Sequence, residues 1–134
     1  MAIIRHVNGQ DEVHNGAGRQ VIGAHAPNEN GLSPKELLEA ALGLCISISM
    51  QKMLNFDNVK YDKEAIQVEV TSTKPENKRD NRFSSFEVRV AYPPGLDEDY
   101  KAKLRDVVER ACTISNTLRA EATVELVELP AQGQ

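Results

Sequence analysis

One stretch, Ser33–Met50, constrains the fold of this 134-residue chain more than any other. Ser33 is a favoured helix N-cap residue, Pro34 fits the first helical turn, and Glu36 completes a reciprocal capping box. From residue 37 to residue 50 the side chains are small or apolar on every side of the helix, except at Glu39. A helix that is apolar all round is normally buried, so this stretch predicts a central helix covered on all sides.

Two turn signals divide the first 25 residues into three short strands. The pairs Asn8-Gly9 and Asn15-Gly16 are typical of tight hairpins, and they separate segments 3–7, 10–14 and 19–25. We expect these segments to form a β-meander. Residues 26–32 then predict a loop leading to the central helix, which we expect to run from residue 34 to about residue 54.

Two alternating segments follow the central helix and predict a β-hairpin. Residues 66–71 and 86–92 place apolar side chains at every second position, which is the period of a half-buried strand. The polar segment 74–82 between them fits a solvated hairpin loop, and its charges also allow a ligand contact.

The last third predicts an amphipathic helix, a further short helix and a final strand. Asp97 is a plausible N-cap, and the apolar positions that begin at Tyr100 keep to one helix face, with Cys112 in the last turn. Residues 113–118 favour a short helix, 122–129 a strand, and 130–134 a loose tail. Strands that occur in runs indicate an α+β fold, and no composition break divides the single domain of residues 1–134.

The central helix needs more cover than one chain of this length supplies. The predicted elements offer one sheet face and one other substantial helix, which together leave part of an all-apolar helix bare. A second subunit is the simplest cover, so we predict a homodimer with this helix near the interface.

Composition narrows the class of function. A net charge of −4 and only 4% aromatic residues argue against a nucleic-acid partner. No uninterrupted apolar run approaches the ~18 residues of a membrane span, and the start of the chain does not read as a secretory signal. We therefore expect a cytoplasmic protein without a membrane partner. The three histidines lack ligand-like spacing and no CxxC pair is present, so neither a metal nor a cofactor is predicted.

The two cysteines are the candidate reactive residues. Free cysteine often packs as a small hydrophobe, so Cys45 and Cys112 could both be structural. A reactive thiol needs a stabilised thiolate, and the helical neighbours of Cys45 carry no charge. We therefore expect any activating cation to come from outside its helix, since apolar surroundings alone would raise the pKa of Cys45. Cys112 lies at a helix C-terminus, which makes it the poorer attacking thiol and the better resolving thiol.

The residues around both cysteines resemble those of the OsmC/Ohr family, the osmotically induced and organic-hydroperoxide-resistance proteins. The stretch from Ser33 to Cys45 is similar to the first-cysteine helix of that family, and the stretch 111–118 is similar to its second-cysteine segment. The resemblance implies an OsmC/Ohr-like α+β fold, in which a strongly curved antiparallel sheet surrounds a buried central helix and a second, amphipathic helix. It also implies an intertwined homodimer.

The resemblance further implies a thiol-dependent peroxidase that acts on organic hydroperoxides at the subunit interface. Cys45 would attack the peroxide bond and become a sulfenic acid, Cys112 would condense with it to a disulfide, and a dithiol would reduce that disulfide. The activating arginine of the family lies in the N-terminal β region, where Arg19 is the closest match. Arg79 and Arg82 stay open as alternative cations.

Two departures from the family pattern indicate a divergent branch. The peroxidase branch has Glu directly after the helix proline, whereas this chain has Lys35 there and Glu36 next. Glu36 either takes the role of that carboxylate or only caps the helix. Thr113 stands where the family usually has proline after the second cysteine. The alternative function is therefore a non-catalytic dimer that binds a small apolar ligand or senses redox state.

Overall fold

The computed structural model describes residues 1–130, and their architecture is the predicted α+β class. The strands form two separate antiparallel sheets, ordered β1-β2-β3 and β4-β5. A short 3-10 turn at Lys63–Ala65 precedes β4. The elements are β1 (Ala2–Val7), β2 (Gln10–Asn15), β3 (Gln20–Gly23), α1 (Pro34–Phe56), β4 (Gln67–Thr73), β5 (Ser85–Ala91), α2 (Glu98–Ala111) and α3 (Thr113–Arg119).

The N-terminal sheet confirms the predicted meander. Asn8 and Gly9 both have positive φ, of 51° and 79°, as the first tight hairpin requires. The antiparallel register places Ile4 opposite Val13 and Val13 opposite Val21, so these side chains share one face of the sheet. That face is largely uncovered, since Ile4 is 61% exposed and the sheet makes no extensive contact with a helix.

Helix α1 begins as the sequence predicts. The Ser33 hydroxyl accepts a hydrogen bond from the Glu36 amide, and the Glu36 carboxylate accepts one from the Ser33 amide at 3.0 Å. The carboxylate also accepts from the Ser33 hydroxyl at 2.9 Å. These hydrogen bonds satisfy amides that would otherwise lack partners at the helix start, and the helix ends at Phe56.

The expectation that α1 is covered on every side is wrong for the single chain. Leu42, Met50 and Leu54 are buried, whereas Leu44 is 64% exposed and Ile48 is also exposed. The reason is that β4, α2 and α3 pack against one side of the helix only. The shortage of cover that predicted a second subunit is therefore present in the structure.

The core lies between α1 and α2. Met50 and Leu54 of α1 pack with Leu104 and Val108 of α2, and all four side chains are buried. Helix α2 begins at its predicted N-cap, because the Asp97 carboxylate accepts a hydrogen bond from the Tyr100 amide at 2.7 Å. The amphipathic helix is thus held against α1 by its apolar stripe.

The predicted hairpin is confirmed, and β4 lies close against α1. Val68 pairs with Val90 and Val70 with Val88 across the two strands. Gly43 allows the close approach, because a Cβ there would lie 3.2 Å from Val70 Cγ2.

A polar contact also joins β4 to α1, one helical turn before Gly43. The Glu39 carboxylate accepts hydrogen bonds from the Ser72 amide at 2.7 Å and from the Ser72 hydroxyl at 2.8 Å. Lys35 pairs with the same carboxylate at 2.7 Å. Glu39, the one charged side chain of the apolar stretch, therefore joins the helix to the strand.

The predicted final strand is absent from residues 122–129. The segment has no regular secondary structure, and its apolar side chains are exposed, with Leu126 at 97%. A strand needs a hydrogen-bonded neighbour, and the segment has none within the single chain. The expected tail, residues 130–134, lies almost wholly outside the described residues.

Helix α1 also meets the length and composition of a membrane span, alone among the helices of residues 1–130. The core helix of a soluble protein meets the same criterion. Here α1 packs against β4, α2 and α3, and its Glu39 carboxylate binds the β4 backbone. These contacts are those of a core helix.

Candidate functional site

The fold brings the two cysteines together. Cys45 lies in the middle of α1, and Cys112 lies at the junction of α2 and α3. Their side chains are close enough to shift each other's pKa, and both thiols are free. Cys112 is fully buried, whereas Cys45 is half-buried and therefore reachable. The sulfurs form a thiol pair that is accessible from the Cys45 side.

Uncharged donors lower the pKa of Cys45. The largest cause is the hydrogen bond from Cys112, followed by the backbone amide of Ile114. Burial acts in the opposite direction, and the Thr113 amide and the Ser49 side chain add smaller contributions. The expectation that Cys45 needs a cation to avoid a raised pKa is therefore wrong, because hydrogen bonds to a thiolate favour the charged form.

The pKa of Cys112 shifts the other way. Burial raises it first, and the hydrogen bond to Cys45 raises it further. The Ser115 amide donates to Cys112 Sγ at 3.4 Å and partly offsets these effects. Cys112 is the N-cap of α3 as well as the C-cap of α2. The sequence predicted only the second of these positions, at the end of α2.

A cavity of about 650 Å³ adjoins the thiol pair on the Cys112 side. Its walls come from α1, β5, α2 and α3, and they are mainly apolar with arginines and one glutamate among them. The apolar lining residues are Leu42, Ile46, Met50, Phe83, Phe86, Val88, Val90, Tyr92, Leu104, Val108 and Leu118, and the charged ones are Arg82, Arg105, Glu109 and Arg119. The space suits an apolar molecule.

The structure does not bring Arg19 to the thiols of its own chain. Arg19 lies on the exposed turn between β2 and β3, where its backbone bonds to Asn15. Arg79 is exposed in the hairpin loop. Arg82 lines the cavity, and its guanidinium pairs with Asp80 at 3.0 Å. None of these arginines is among the main causes of the Cys45 shift.

Glu36 is occupied by the capping box. Its hydrogen bonds from the backbone and the side chain of Ser33 lower its pKa, in that order of importance. Lys35, which replaces the family carboxylate, pairs with Glu39 instead. In the single chain the carboxylates of this turn therefore hold α1 in place rather than contact the thiols.

Sequence reasoning missed the start of α3 as part of the site. A signal for it exists, because Cys112 followed three residues later by Ser115 has the spacing of an N-cap and the amide that it binds. The sequence identifies Ser49 as a helical neighbour of Cys45, but only the three-dimensional structure shows that its side chain acts on the Cys45 thiol. Among residues 1–130, no group of three or more His, Cys, Asp or Glu side chains could hold a metal ion.

Comparisons with known proteins agree with this architecture. A family model described as OsmC-like protein matches residues 26–127. An OsmC-like protein from Mycoplasma pneumoniae superposes with a TM-score of 0.73 at 18% identity, covering 89% of this chain and 86% of that one. In sequence, no curated protein matches the chain significantly.

Two organic hydroperoxide resistance proteins share the same fold. The one from Legionella pneumophila gives a TM-score of 0.59 at 18% identity, covering 89% of both chains. The one from Bacillus subtilis, OhrB, gives 0.59 at 17% identity, covering 89% of this chain and 90% of that one. At these identities the likeness shows the fold alone.

Proposed function

This chain belongs to the OsmC-like protein family, and on that premise we propose that it is a thiol-dependent peroxidase that reduces organic hydroperoxides. The observation that carries the proposal is a pair of neighbouring free thiols with opposite pKa shifts, lowered for Cys45 and raised for Cys112. In such a pair, the thiol with the lowered pKa suits the attack on the peroxide, and the thiol with the raised pKa suits the later resolution to a disulfide. The similar proteins from Legionella and Bacillus, both named for organic hydroperoxide resistance, support the substrate class.

Cys45 is the attacking thiol in this proposal. Its thiolate displaces the leaving oxygen of the peroxide, so that a sulfur–oxygen bond forms and the oxygen–oxygen bond breaks. The leaving alkoxide takes a proton and departs as an alcohol, while Cys45 becomes a sulfenic acid. The lowered pKa of Cys45 raises the fraction of thiolate available near neutral pH.

Cys112 is the resolving thiol. Its raised pKa keeps it protonated, so it serves as a hydrogen-bond donor to Cys45 until the sulfenic acid forms. Its sulfur then attacks the sulfenic sulfur, and water leaves as the disulfide forms. An external dithiol completes the cycle by thiol–disulfide exchange. A reductant of that kind fits a reducing compartment, and we propose the cytoplasm.

The cavity beside the pair favours an apolar substrate. Cys112 lines this cavity and Cys45 does not, so a substrate bound there would extend its peroxide group past Cys112 to Cys45. The lining would bury its hydrocarbon group, whereas hydrogen peroxide would gain nothing from that surface. We therefore propose that the rate with a bulky organic hydroperoxide exceeds the rate with hydrogen peroxide.

Arg19 enters this proposal only through a homodimer. The N-terminal sheet beside which Arg19 lies makes no extensive contact with a helix among residues 1–130, and the exposed side of α1 lacks cover. A second subunit would supply both contacts and could place its Arg19 beside Cys45. The Glu36 carboxylate already accepts a hydrogen bond from Ser33. It would orient that arginine only by accepting hydrogen bonds from both residues.

The test is the loss of cumene hydroperoxide in the presence of dithiothreitol. We expect the wild type to consume peroxide and Cys45→Ser to be at background. Ser47→Ala, a one-atom change on the same helix that lines a different groove, is the matched control and should keep the wild-type rate. Background-level loss by the wild type would refute the peroxidase.

The second candidate function is binding of a small apolar ligand without catalysis, which the cavity of about 650 Å³ favours. In that case the wild type and Cys45→Ser would lose peroxide equally slowly. A fluorescent apolar probe would then bind both proteins, and Val88→Trp, which fills the cavity from β5, would abolish the binding.

A further inference from the structure

Cys112 is the N-cap of α3. The first amides of any helix have no partners within it, and here the Ser115 amide donates to Cys112 Sγ at 3.4 Å. The Thr113 and Ile114 amides, also at the helix start, lower the pKa of Cys45. The next amide, that of Asn116, makes the first intrahelical bond, to the Cys112 carbonyl at 3.0 Å.

Helix α3 is short enough to depend on this cap. It has 7 residues, and isolated helices of that length are unstable in water. The helix also contacts α1, and the Asn116 side-chain amide donates to the Arg110 carbonyl of α2 at 3.1 Å. Removing the acceptor at its start therefore leaves its first turn without the cap that keeps it helical.

The same helix closes one side of the cavity. Ser115, Leu118 and Arg119 line the space together with Cys112. Loosening α3 would therefore widen the opening of the cavity and connect the buried Cys112 with solvent.

We propose that α3 is a redox-dependent wall, ordered by the reduced thiol pair and loosened when Cys45 and Cys112 form a disulfide. A disulfide bond of about 2.05 Å draws the sulfurs much closer than a thiol hydrogen bond does, which turns Cys112 Sγ away from the Ser115 amide. It also removes the charge of the Cys45 thiolate, whose pKa the Thr113 and Ile114 amides lower. Oxidation thus removes the acceptor of the Ser115 amide and weakens the attraction at the other two amides.

The mechanism rests on the proposed function for its natural oxidant. In that reaction the hydroperoxide accepts two electrons, the alcohol and water leave, and the disulfide remains. Loosening of α3 at this stage would let the alcohol out and expose the disulfide to the dithiol. Rereduction would restore the cap and close the wall.

Diamide tests the wall without any peroxidase activity, because it takes two electrons and two protons from the thiol pair directly. We would compare hydrogen exchange of residues 113–120 in the full-length protein before and after diamide. We expect about fivefold faster exchange in the oxidised protein, which is the factor that a lost N-cap typically produces. Residues 98–108 of α2 should exchange alike in both states.

Three cysteine variants separate the effect of the cap from the effect of the crosslink. Cys112→Ser keeps an N-cap acceptor, so the reduced protein should retain slow exchange in α3. Cys112→Ala removes the acceptor and should exchange about fivefold faster without any disulfide. Cys45→Ser cannot form the crosslink, so diamide should leave its α3 exchange unchanged.

Unchanged or slower α3 exchange in the oxidised protein would overturn the proposal, and so would equal exchange in Cys112→Ser and Cys112→Ala. If Cys112→Ala does not fold, as fast exchange of residues 98–108 would reveal, the diamide comparison decides alone. A protein that loosens α3 with diamide yet consumes no peroxide would refute the proposed function and leave the redox-dependent wall standing.

Discussion

The N-terminal sheet and the α1–α3 region have equally regular sequence patterns but very different surroundings. Val68 and Val70 of β4 lie against α1 and help to enclose a core, whereas Ile4 of β1 faces outward. Turn signals in the N-terminal sheet and alternation in β4 and β5 therefore predict strands without deciding what covers them. The comparison teaches that cover depends on the neighbouring elements, and the N-terminal sheet has no extensive contact with a helix among residues 1–130.

The residues proposed for catalysis are also divided between these two regions. Both sulfurs and the amides that bind Cys45 lie in the α1–α3 region, which has its own core. Arg19 lies in the uncovered sheet. The thiol pair is thus preorganised by one region, and the proposed cation must be delivered by the other region of a partner subunit.

The largest expected effect tests the core. Leu54→Ala should lower the free energy of unfolding by about 2–5 kcal/mol, because the side chain is fully buried and its loss leaves a cavity. The matched change Leu126→Ala, at an exposed leucine, should cost less than about 0.5 kcal/mol. Urea denaturation measures both, and a large cost at Leu126 would mean that its segment is covered in solution.

The next effect tests the missing cover directly. Leu44→Lys places a charge on the exposed side of α1, and we expect at least about 30-fold weaker dimerisation, typical of an interface hot spot. Analytical ultracentrifugation over a range of concentrations would measure it. Lys52→Glu, on the same helix at an already charged position, is the control. A monomeric wild type would contradict the predicted dimer.

A smaller effect joins the two regions through Arg19. Arg19→Ala should lower the rate of cumene hydroperoxide loss about tenfold or more, because a positioned cation stabilises charge in the transition state. Arg79→Ala, in the hairpin loop, should have no effect. An unchanged rate in Arg19→Ala would show that the uncharged donors of the α1–α3 region are sufficient.

The smallest effect concerns the start of α1. The pKa of Glu36 is lowered in the folded state, so its contribution to stability is present above its unfolded pKa and is lost as the pH falls through the folded value. Glu36→Gln should therefore lose less stability than the wild type between pH 7 and pH 3. Urea denaturation at both values measures this difference, and identical losses would contradict it.

Local features were predictable from the sequence because local residues determine them. The capping box of Ser33 and Glu36, the Asp97 N-cap and the Asn8-Gly9 turn all act within a few positions. The hairpin followed from its alternating pattern. The family resemblance added the pairing of Cys45 with Cys112, which no local pattern determines.

Features that depend on distant neighbours were missed. The pKa of Cys45 is set mainly by groups from the start of α3, far away in sequence, so the residues of α1 alone gave the wrong direction. Residues 122–129 have the alternation of a strand but no neighbour to pair with. The exposed side of α1 could be anticipated, because its cover could be weighed against the length of the chain.

The contact between Glu39 and Ser72 has a consequence for aggregation. The β4-β5 sheet has two strands, so β4 is an edge strand whose outward amides could pair with a strand from another molecule. The Glu39 carboxylate already accepts the hydrogen bond of the Ser72 amide at 2.7 Å. An incoming strand would have to replace that charge-assisted hydrogen bond with an ordinary one, so α1 protects this edge and directs any sheet extension to β5.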